Sequence, residues 1–308
     1  MSALRLGLIG FGKIAQDQHL PAIAANDGLK LVAIASRNNT ASGVAFFRTH
    51  QEMLAAAPEI DAVVMCQPPQ ARFEAARDAL LAGKHVFLEK PPGATLSEVE
   101  ALIELARERR LTLFASWHSR EAAAVKVAQS WLSQRTLRAV RITWKEDVRV
   151  WHPNQEWIWQ PGGFGVFDPG INALSILTAV MPDAVRLKSA ALQVPSNKHA
   201  PVAAQLELES TAGVPIAAEF DFLQAGPQSW DIDFVTDEVT ARLSHGGNRW
   251  HVGDNEQVMT EEQEYPSLYR RFAELVRSAG SDVDLAPMRL VADAFLTGRI
   301  TATEPFVE

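Results

Sequence analysis

The chain reads as a two-domain α/β protein: a doubly wound parallel sheet first, then an α+β domain built on a large, mainly antiparallel open sheet. Three observations predict this. At 308 residues the chain exceeds what one hydrophobic core usually serves. Short apolar runs alternate with helical stretches through the first third, which is the pattern of strands joined by crossover helices. After Ser119 the rhythm changes to longer strands in which apolar and polar residues alternate, as on a sheet with one covered face.

In order, strands are expected at Leu6 to Ile9, Leu31 to Ala35, Ala62 to Cys66, Val86 to Leu88 and Leu111 to Ala115. Between them, Gln70 to Ala82 and Leu96 to Arg109 carry apolar residues at helical spacing, and Thr95 three residues before Glu98 has the form of a capping box. Five strands with their crossovers fit a first domain of residues 1–118. In the second, residues 119–308, a helix to about Gln134 precedes strands at Val140 to Trp144, Ala203 to Glu209, Ile216 to Phe222 and Trp230 to Val235. Thr211-Ala212-Gly213 and His245-Gly246-Gly247 punctuate these strands as hairpin turns do. The closing helices, near Ser267 to Ala279 and Pro287 to Thr297, are expected to bring the chain back to the first domain, with the last helix packing there.

Composition narrows the function. A net charge of -8 repels a phosphate backbone and no basic stripe offsets it, so no nucleic-acid partner is expected. No apolar run approaches a membrane span, and Met1-Ser2-Ala3-Leu4-Arg5 leads directly into a strand pattern, so no membrane and a cytoplasmic location are expected. Cys66 is the single cysteine and sits in an apolar run, as a small buried thiol would. The eight histidines include no H-x-x-H or H-E-x-x-H pair, and no metal is expected.

The clearest motif is Gly10-Phe11-Gly12-Lys13-Ile14-Ala15, after the strand Leu6 to Ile9 and at the start of a helical stretch. It fits the G-x-G-x-x-A turn of a dinucleotide-binding Rossmann unit. Gly10 allows the tight turn, Gly12 lets the backbone approach pyrophosphate, and Ala15 lets the helix pack close to the strand. Lys13 and Ile14 begin the helix whose N-terminus faces the anion. The second strand ends in Ser36-Arg37, with no carboxylate to repel a 2′-phosphate and a guanidinium able to grip one. That predicts NADP as the preferred cofactor with NAD possible; the bland alternative for Arg37 is a solvated loop arginine.

Further on, Ala82 to Pro91 runs a buried strand straight into Glu89-Lys90-Pro91, and Gly162-Gly163-Phe164-Gly165-Val166-Phe167-Asp168-Pro169-Gly170-Ile171-Asn172 opens a later helix. Together with the glycine turn, these segments resemble the Gfo/Idh/MocA oxidoreductase family across essentially the whole chain. The resemblance implies that Lys90 points into the site beside the nicotinamide; Glu89 before it is a further cofactor-binding candidate, and His118 is a candidate for contact with the nicotinamide ribose or with sugar hydroxyls. Within the family, Lys145 to Arg149, Trp151-His152-Pro153 and Phe114 to Arg120 look most like the members that oxidise L-arabinose and D-galactose at C1. Asn172 and Phe73 stand where histidine is commoner, which removes two proton carriers used by other members.

Oxidising an aldopyranose to its lactone needs a base for the anomeric hydroxyl and a rigid pocket. Asp168 is the candidate acid/base. Asn172, one helical turn later, would hold a neighbouring hydroxyl, and Lys90 would supply positive charge where the oxygen becomes anionic. Glu146 and His152 are candidates for binding sugar hydroxyls. Plainer readings exist for each: Asp168 before Pro169 suits a helix N-cap, Lys90 and Glu146 could be solvated strand ends, and a histidine beside tryptophan is often simply packed. The tryptophans between 144 and 159 suit sugar faces but equally a core. Rival functions are another oxidoreduction in the same family, on an inositol, amino sugar, ketone or imine, or a non-catalytic NADP-binding regulator. A homodimer is expected, through the open face of the second sheet.

Overall fold

A computed structural model describes residues 2–37, 41–57, 59–257, 259 and 263–307. The chain divides into two compact units, Met1–His118 with Tyr265–Asp284, and Ser119–Glu264 with Leu285–Glu308.

The first unit is a six-stranded, wholly parallel sheet of β1 (Leu4–Ile9), β2 (Leu29–Ala35), β3 (Ala45–Phe47), β4 (Ala62–Met65), β5 (His85–Glu89) and β6 (Leu113–Ser116), ordered β3-β2-β1-β4-β5-β6. The reversal of order beside β1 is where such sheets open a crevice for ligands. Five of the strands match the expected runs; β3 is the sixth, a short and largely exposed edge strand in the run Val44 to Phe47, which was not singled out. Helices α1 (Leu20–Ala24), α2 (His50–Ala56), α3 (Arg72–Leu81) and α4 (Leu96–Arg109) cover the sheet. Thr95 and Glu98 do form the capping box of α4, and Thr49 with Glu52 forms a second one on α2. Burial on both faces explains why β1 and β4 are nearly continuous apolar runs.

The second unit begins with α5 (Val125–Leu132), β7 (Leu137–Lys145), α6 (Val148–Trp151) and α7 (Phe167–Val180). It continues through β8 (Val185–Pro195), β9 (Ala203–Ser210), β10 (Pro215–Asp221), β11 (Ser229–Thr236), β12 (Thr240–Ser244), β13 (Arg249–Val252) and β14 (Asn255–Gln257). The chain closes with α8 (Glu264–Ser278), α9 (Ala286–Thr297) and β15 (Arg299–Thr303). Nine strands make one open sheet, antiparallel except for the β10–β7 and β15–β8 pairs. The turns at Thr211 to Gly213 and His245 to Gly247 join antiparallel neighbours. On β9 and β10 alternate residues are buried, so one sheet face is packed and the other is open.

The closing helices differ from expectation. It is α8, not the last helix, that belongs to the first unit, where Tyr265, Leu268, Tyr269 and Phe272 join Phe87 and Phe114 in the core. The following segment is tied there by Ala115 N–H to Asp282 C=O (3.0 Å) and Trp117 Nε1–H to Asp284 C=O (2.9 Å). The last helix, α9, packs on α7 and β8 of the second unit. Both helices are amphipathic, and the pattern of each says that one face is buried, not against which sheet. Among the described residues no helix is long and apolar enough to cross a membrane.

Candidate active site

The first unit forms a dinucleotide cradle. Gly10 has φ +87°, and a Cβ there would lie 2.6 Å from the Gln67 amide nitrogen, so the turn admits only glycine. At Gly12 a Cβ would meet nothing within 4 Å. That open backbone, facing the start of a helix, is the space a pyrophosphate needs. Ala15 is fully buried, as close packing of helix on strand requires. Ile14 is exposed, and exposed Lys13 pairs with Asp17 along the helix. Residues Ala15–His19 of this helix have π-helical hydrogen bonding, a local widening that recurs at functional sites.

Arg37 is exposed just beyond β2, and its carbonyl accepts a hydrogen bond from Arg48 Nη1 (2.6 Å). Arg48, which sequence reading did not single out, therefore adds a second guanidinium at the strand end. It lies eleven residues away and is brought there by pairing of β3 with β2.

At the end of β5, Lys90 is half-buried and the Lys90–Pro91 peptide is cis. The neighbouring Glu89 carboxylate is buried and turned inward. Its Oε1 accepts from Tyr265 Oη (2.7 Å) and lies 3.3 Å from His19 Nε2, while its Oε2 accepts from the Lys90 N–H (2.6 Å). His19 Nδ1 is 2.7 Å from Tyr269 Oη. Burial alone would push the Glu89 carboxyl up; the hydrogen bond and charge of His19, with His118 and Lys90, outweigh it and hold the group down at about 2. For His19 burial works against the charge, and the Cys66 sulfur and Glu89 reverse this, raising the imidazole to about 10. His118 is half-buried and stacks on Tyr265, with ring centroids 5.5 Å apart. Glu89, expected at the cofactor itself, thus spends its oxygens inside the protein.

In the second unit, α7 begins at Phe167 with Val166 as its N-cap, so Asp168 lies within the first turn and is not the cap. The glycines before it set this entry: Gly165 has φ +52°, and a Cβ there would stand 2.3 Å from the Pro201 carbonyl oxygen. Asp168 and Glu146 are both buried, and His152 stands between them. His152 Nε2 is 3.0 Å from Glu146 Oε1, and Nδ1 is 3.6 Å from Asp168 Oδ2. Trp230 Nε1–H donates to the other Glu146 oxygen at 2.7 Å. Both Glu146 oxygens are thus already engaged within the protein, which leaves one lone-pair site or so on each for a sugar hydroxyl. Asn172, one turn beyond Asp168, is half-buried, and its side chain makes no hydrogen bond with the described residues.

The tryptophans separate by role. Trp144 and Trp159 are core. Trp151 is 41% exposed and packs edge-on against Trp230 at 4.7 Å, so an indole wall borders Glu146. Trp230 was missed as a site residue because it comes from β11, whose alternation pointed only to a strand. His19, Tyr265 and Tyr269 were missed for a similar reason: each is one residue on an apolar helix face, with no motif around it.

A glycine-turn sheet that lays down a dinucleotide cradle and runs its fifth strand into Glu-Lys-Pro defines an oxidoreductase using a nicotinamide dinucleotide. Residues 4–116 match the model of the Gfo/Idh/MocA oxidoreductases, described as an oxidoreductase family with an NAD-binding Rossmann fold. Galactose 1-dehydrogenase of Pseudomonas fluorescens is 46% identical over 308 residues, covering 100% of both chains. The crystal structure of a D-galactose-1-dehydrogenase protein from Rhizobium etli superposes with a TM-score of 0.95 at 55% identity, over 100% of this chain and 99% of that one. A 3-ketoreductase from Actinomadura kijaniata shares the fold, with a TM-score of 0.87 at 20% identity over 98% of this chain and 100% of its own. The chain belongs to the Gfo/Idh/MocA oxidoreductase family.

Proposed function

We propose that the protein is an NAD(P)-dependent aldose 1-dehydrogenase, oxidising D-galactose, and also L-arabinose, at C1 to the aldonolactone. The observation that carries this is the line Glu146–His152–Asp168, a half-buried imidazole between two buried carboxylates, with Asn172 one turn on, in a chain 46% identical to a galactose 1-dehydrogenase along its whole length. The two sugars share their ring configuration and differ by the hydroxymethyl group, so one pocket serves both.

A bound nicotinamide would supply the acceptor for the C1 hydrogen as hydride. Asp168 takes the proton of the anomeric hydroxyl as the C1–O bond becomes a carbonyl, and His152, 3.6 Å from its carboxylate, fixes its orientation. Glu146 in turn holds the His152 ring, and Asn172 offers an uncommitted amide to the adjacent hydroxyl. Trp151 and Trp230 offer flat faces to the sugar C–H groups. Lys90 supplies positive charge to the oxygen and His118 a contact to the ribose. Gly10, Gly12, Lys13 and Ile14 hold the pyrophosphate end.

NADP is the preferred cofactor and NAD the weaker one. Ser36 and Arg37 at the end of β2 carry no carboxylate of their own and, reinforced by Arg48, give a 2′-phosphate two guanidinium groups. The active form is a cytoplasmic homodimer paired through the open face of the nine-stranded sheet, which light scattering would read as a doubled mass.

The test is reduction of NADP and NAD with D-galactose, L-arabinose, D-fucose, D-xylose and D-glucose at neutral to mildly alkaline pH. Turnover confined to the galactose-configured sugars supports the proposal. Tight NADP binding without turnover on any aldose overturns it in favour of a different substrate or a regulatory role.

A further inference from the structure

We infer that Glu89, held by His19 and Tyr265, is a positioning residue for Lys90, tying the helix of the glycine turn, the end of β5 and α8 into one unit that sets where the lysine ammonium stands. The inference rests on the reading of Lys90 as a group of the nicotinamide site.

The peptide carrying Lys90 is gripped on every side. Its N–H donates to Glu89 Oε2 at 2.6 Å. The carbonyls of Glu89 and Pro91, before and after it, both accept from the buried Arg72 guanidinium, which also reaches the Gln67 carbonyl at 2.5 Å. Gln67 is the residue whose backbone a side chain at Gly10 would strike, so the same arginine links the cradle turn to the lysine. Glu89 cannot swing, because His19 and Tyr265 fasten its other oxygen and Tyr269 fastens His19. His19 is 0% exposed and leaves the helix from its π-helical segment, where the widened turn aims a residue at β5.

A buried ion pair is a costly way to gain stability, since apolar packing of the same volume usually does as well or better. What such a pair does supply is fixed geometry. Here the geometry is that of the residue next in the chain to the carboxylate.

The experiment is a set of double-mutant cycles on the full chain, using Glu89→Gln and Tyr265→Phe, each with and without Lys90→Met. One readout is the dissociation constant for NADP, measured by quenching of tryptophan fluorescence; the other is kcat with D-galactose. Glu89→Gln is expected to weaken NADP binding at least fivefold and lower kcat at least tenfold, yet to change either by less than twofold once Lys90 is methionine. Losses of equal size in both backgrounds, or a lowered Tm with unchanged binding, overturn the inference. If Glu89→Gln does not fold, Tyr265→Phe decides. Removal of that one hydroxyl is expected to weaken binding about threefold only when Lys90 is present, and an unchanged or Lys90-independent effect overturns the inference. Should the wild type oxidise no aldose, the aldose reading falls and the binding cycle still judges this one.

Discussion

The dinucleotide cradle and the sugar-side cluster are built in opposite ways. The cradle is a run of backbone: six consecutive residues, Gly10 to Ala15, in which two positions matter because a side chain is missing. The cluster is a meeting of side chains from the residue after β7, the loop after α6, α7 and β11, in which Glu146, His152, Asp168 and Trp230 matter because of what they reach. A backbone site survives in the sequence as a motif, and a side-chain site is scattered through it. A mutation at Gly12 should therefore separate function from folding cleanly, and mutations in the second region poorly.

The largest effect expected is at Asp168. Asp168→Asn keeps the volume and removes the base, and should lower kcat on galactose by about a hundredfold or more, the scale of lost acid–base catalysis. A loss below tenfold in a folded variant would reduce Asp168 to a binding role.

The two regions can then be set against each other at glycines. Gly12→Ala puts a methyl group into open space, so Tm should hold while the NADP dissociation constant rises about tenfold or more. Gly165→Ala drives a methyl group to 2.3 Å from the Pro201 oxygen at positive φ, so it should cost about 2 to 4 kcal/mol of stability. Chemical denaturation and cofactor titration of the two variants would show whether the losses fall on opposite measurements; matching losses would break the comparison.

Arg37→Ala should raise the Michaelis constant for NADP about tenfold while leaving that for NAD within about twofold, since only one of them carries the phosphate. Equal changes would return Arg37 to the solvent.

A further effect is on pH and stability. His19, raised from 6.5 to about 10, adds stability that is complete below 6.5 and lost as pH rises through 10. Glu89, lowered from 4.5 to about 2, adds stability that is complete above 4.5 and lost as pH falls through 2. Both contribute in full from about 4.5 to 6.5, so calorimetry should give a Tm that declines on the alkaline side of that window. The decline should be shallower in Glu89→Gln, where His19 no longer gains from the carboxylate. Cys66, Tyr265 and Tyr269 face the same pair, and a Tm flat to pH 10 would show His19 to be neutral.

Much was readable beforehand. Apolar runs located five strands of the first sheet and alternation located β7, β9, β10 and β11 of the second but not the eleven-residue β8, and Thr95 with Glu98 located a helix start to the residue. The sugar-side candidates were readable only through resemblance, because nothing local marks Glu146 or His152. The plainer reading of Asp168 as an N-cap failed because the chain turns helical two residues earlier, at Val166, driven by the glycine bend and not by a side-chain cap.

The sequence by itself determined the order of elements, the glycine cradle and the absence of a carboxylate at the end of β2, since each depends on residues adjacent in the chain. Only the tertiary structure decided that α8 and not α9 completes the first core, that Arg48 stands at Arg37, that His152 bridges two buried carboxylates, and that Glu89 faces inward to His19 and Tyr265. The hydrogen bonds among those contacts join residues 6 to 176 positions apart, and hydrophobic burial, which draws such segments together, acts on area without regard to which partner supplies it.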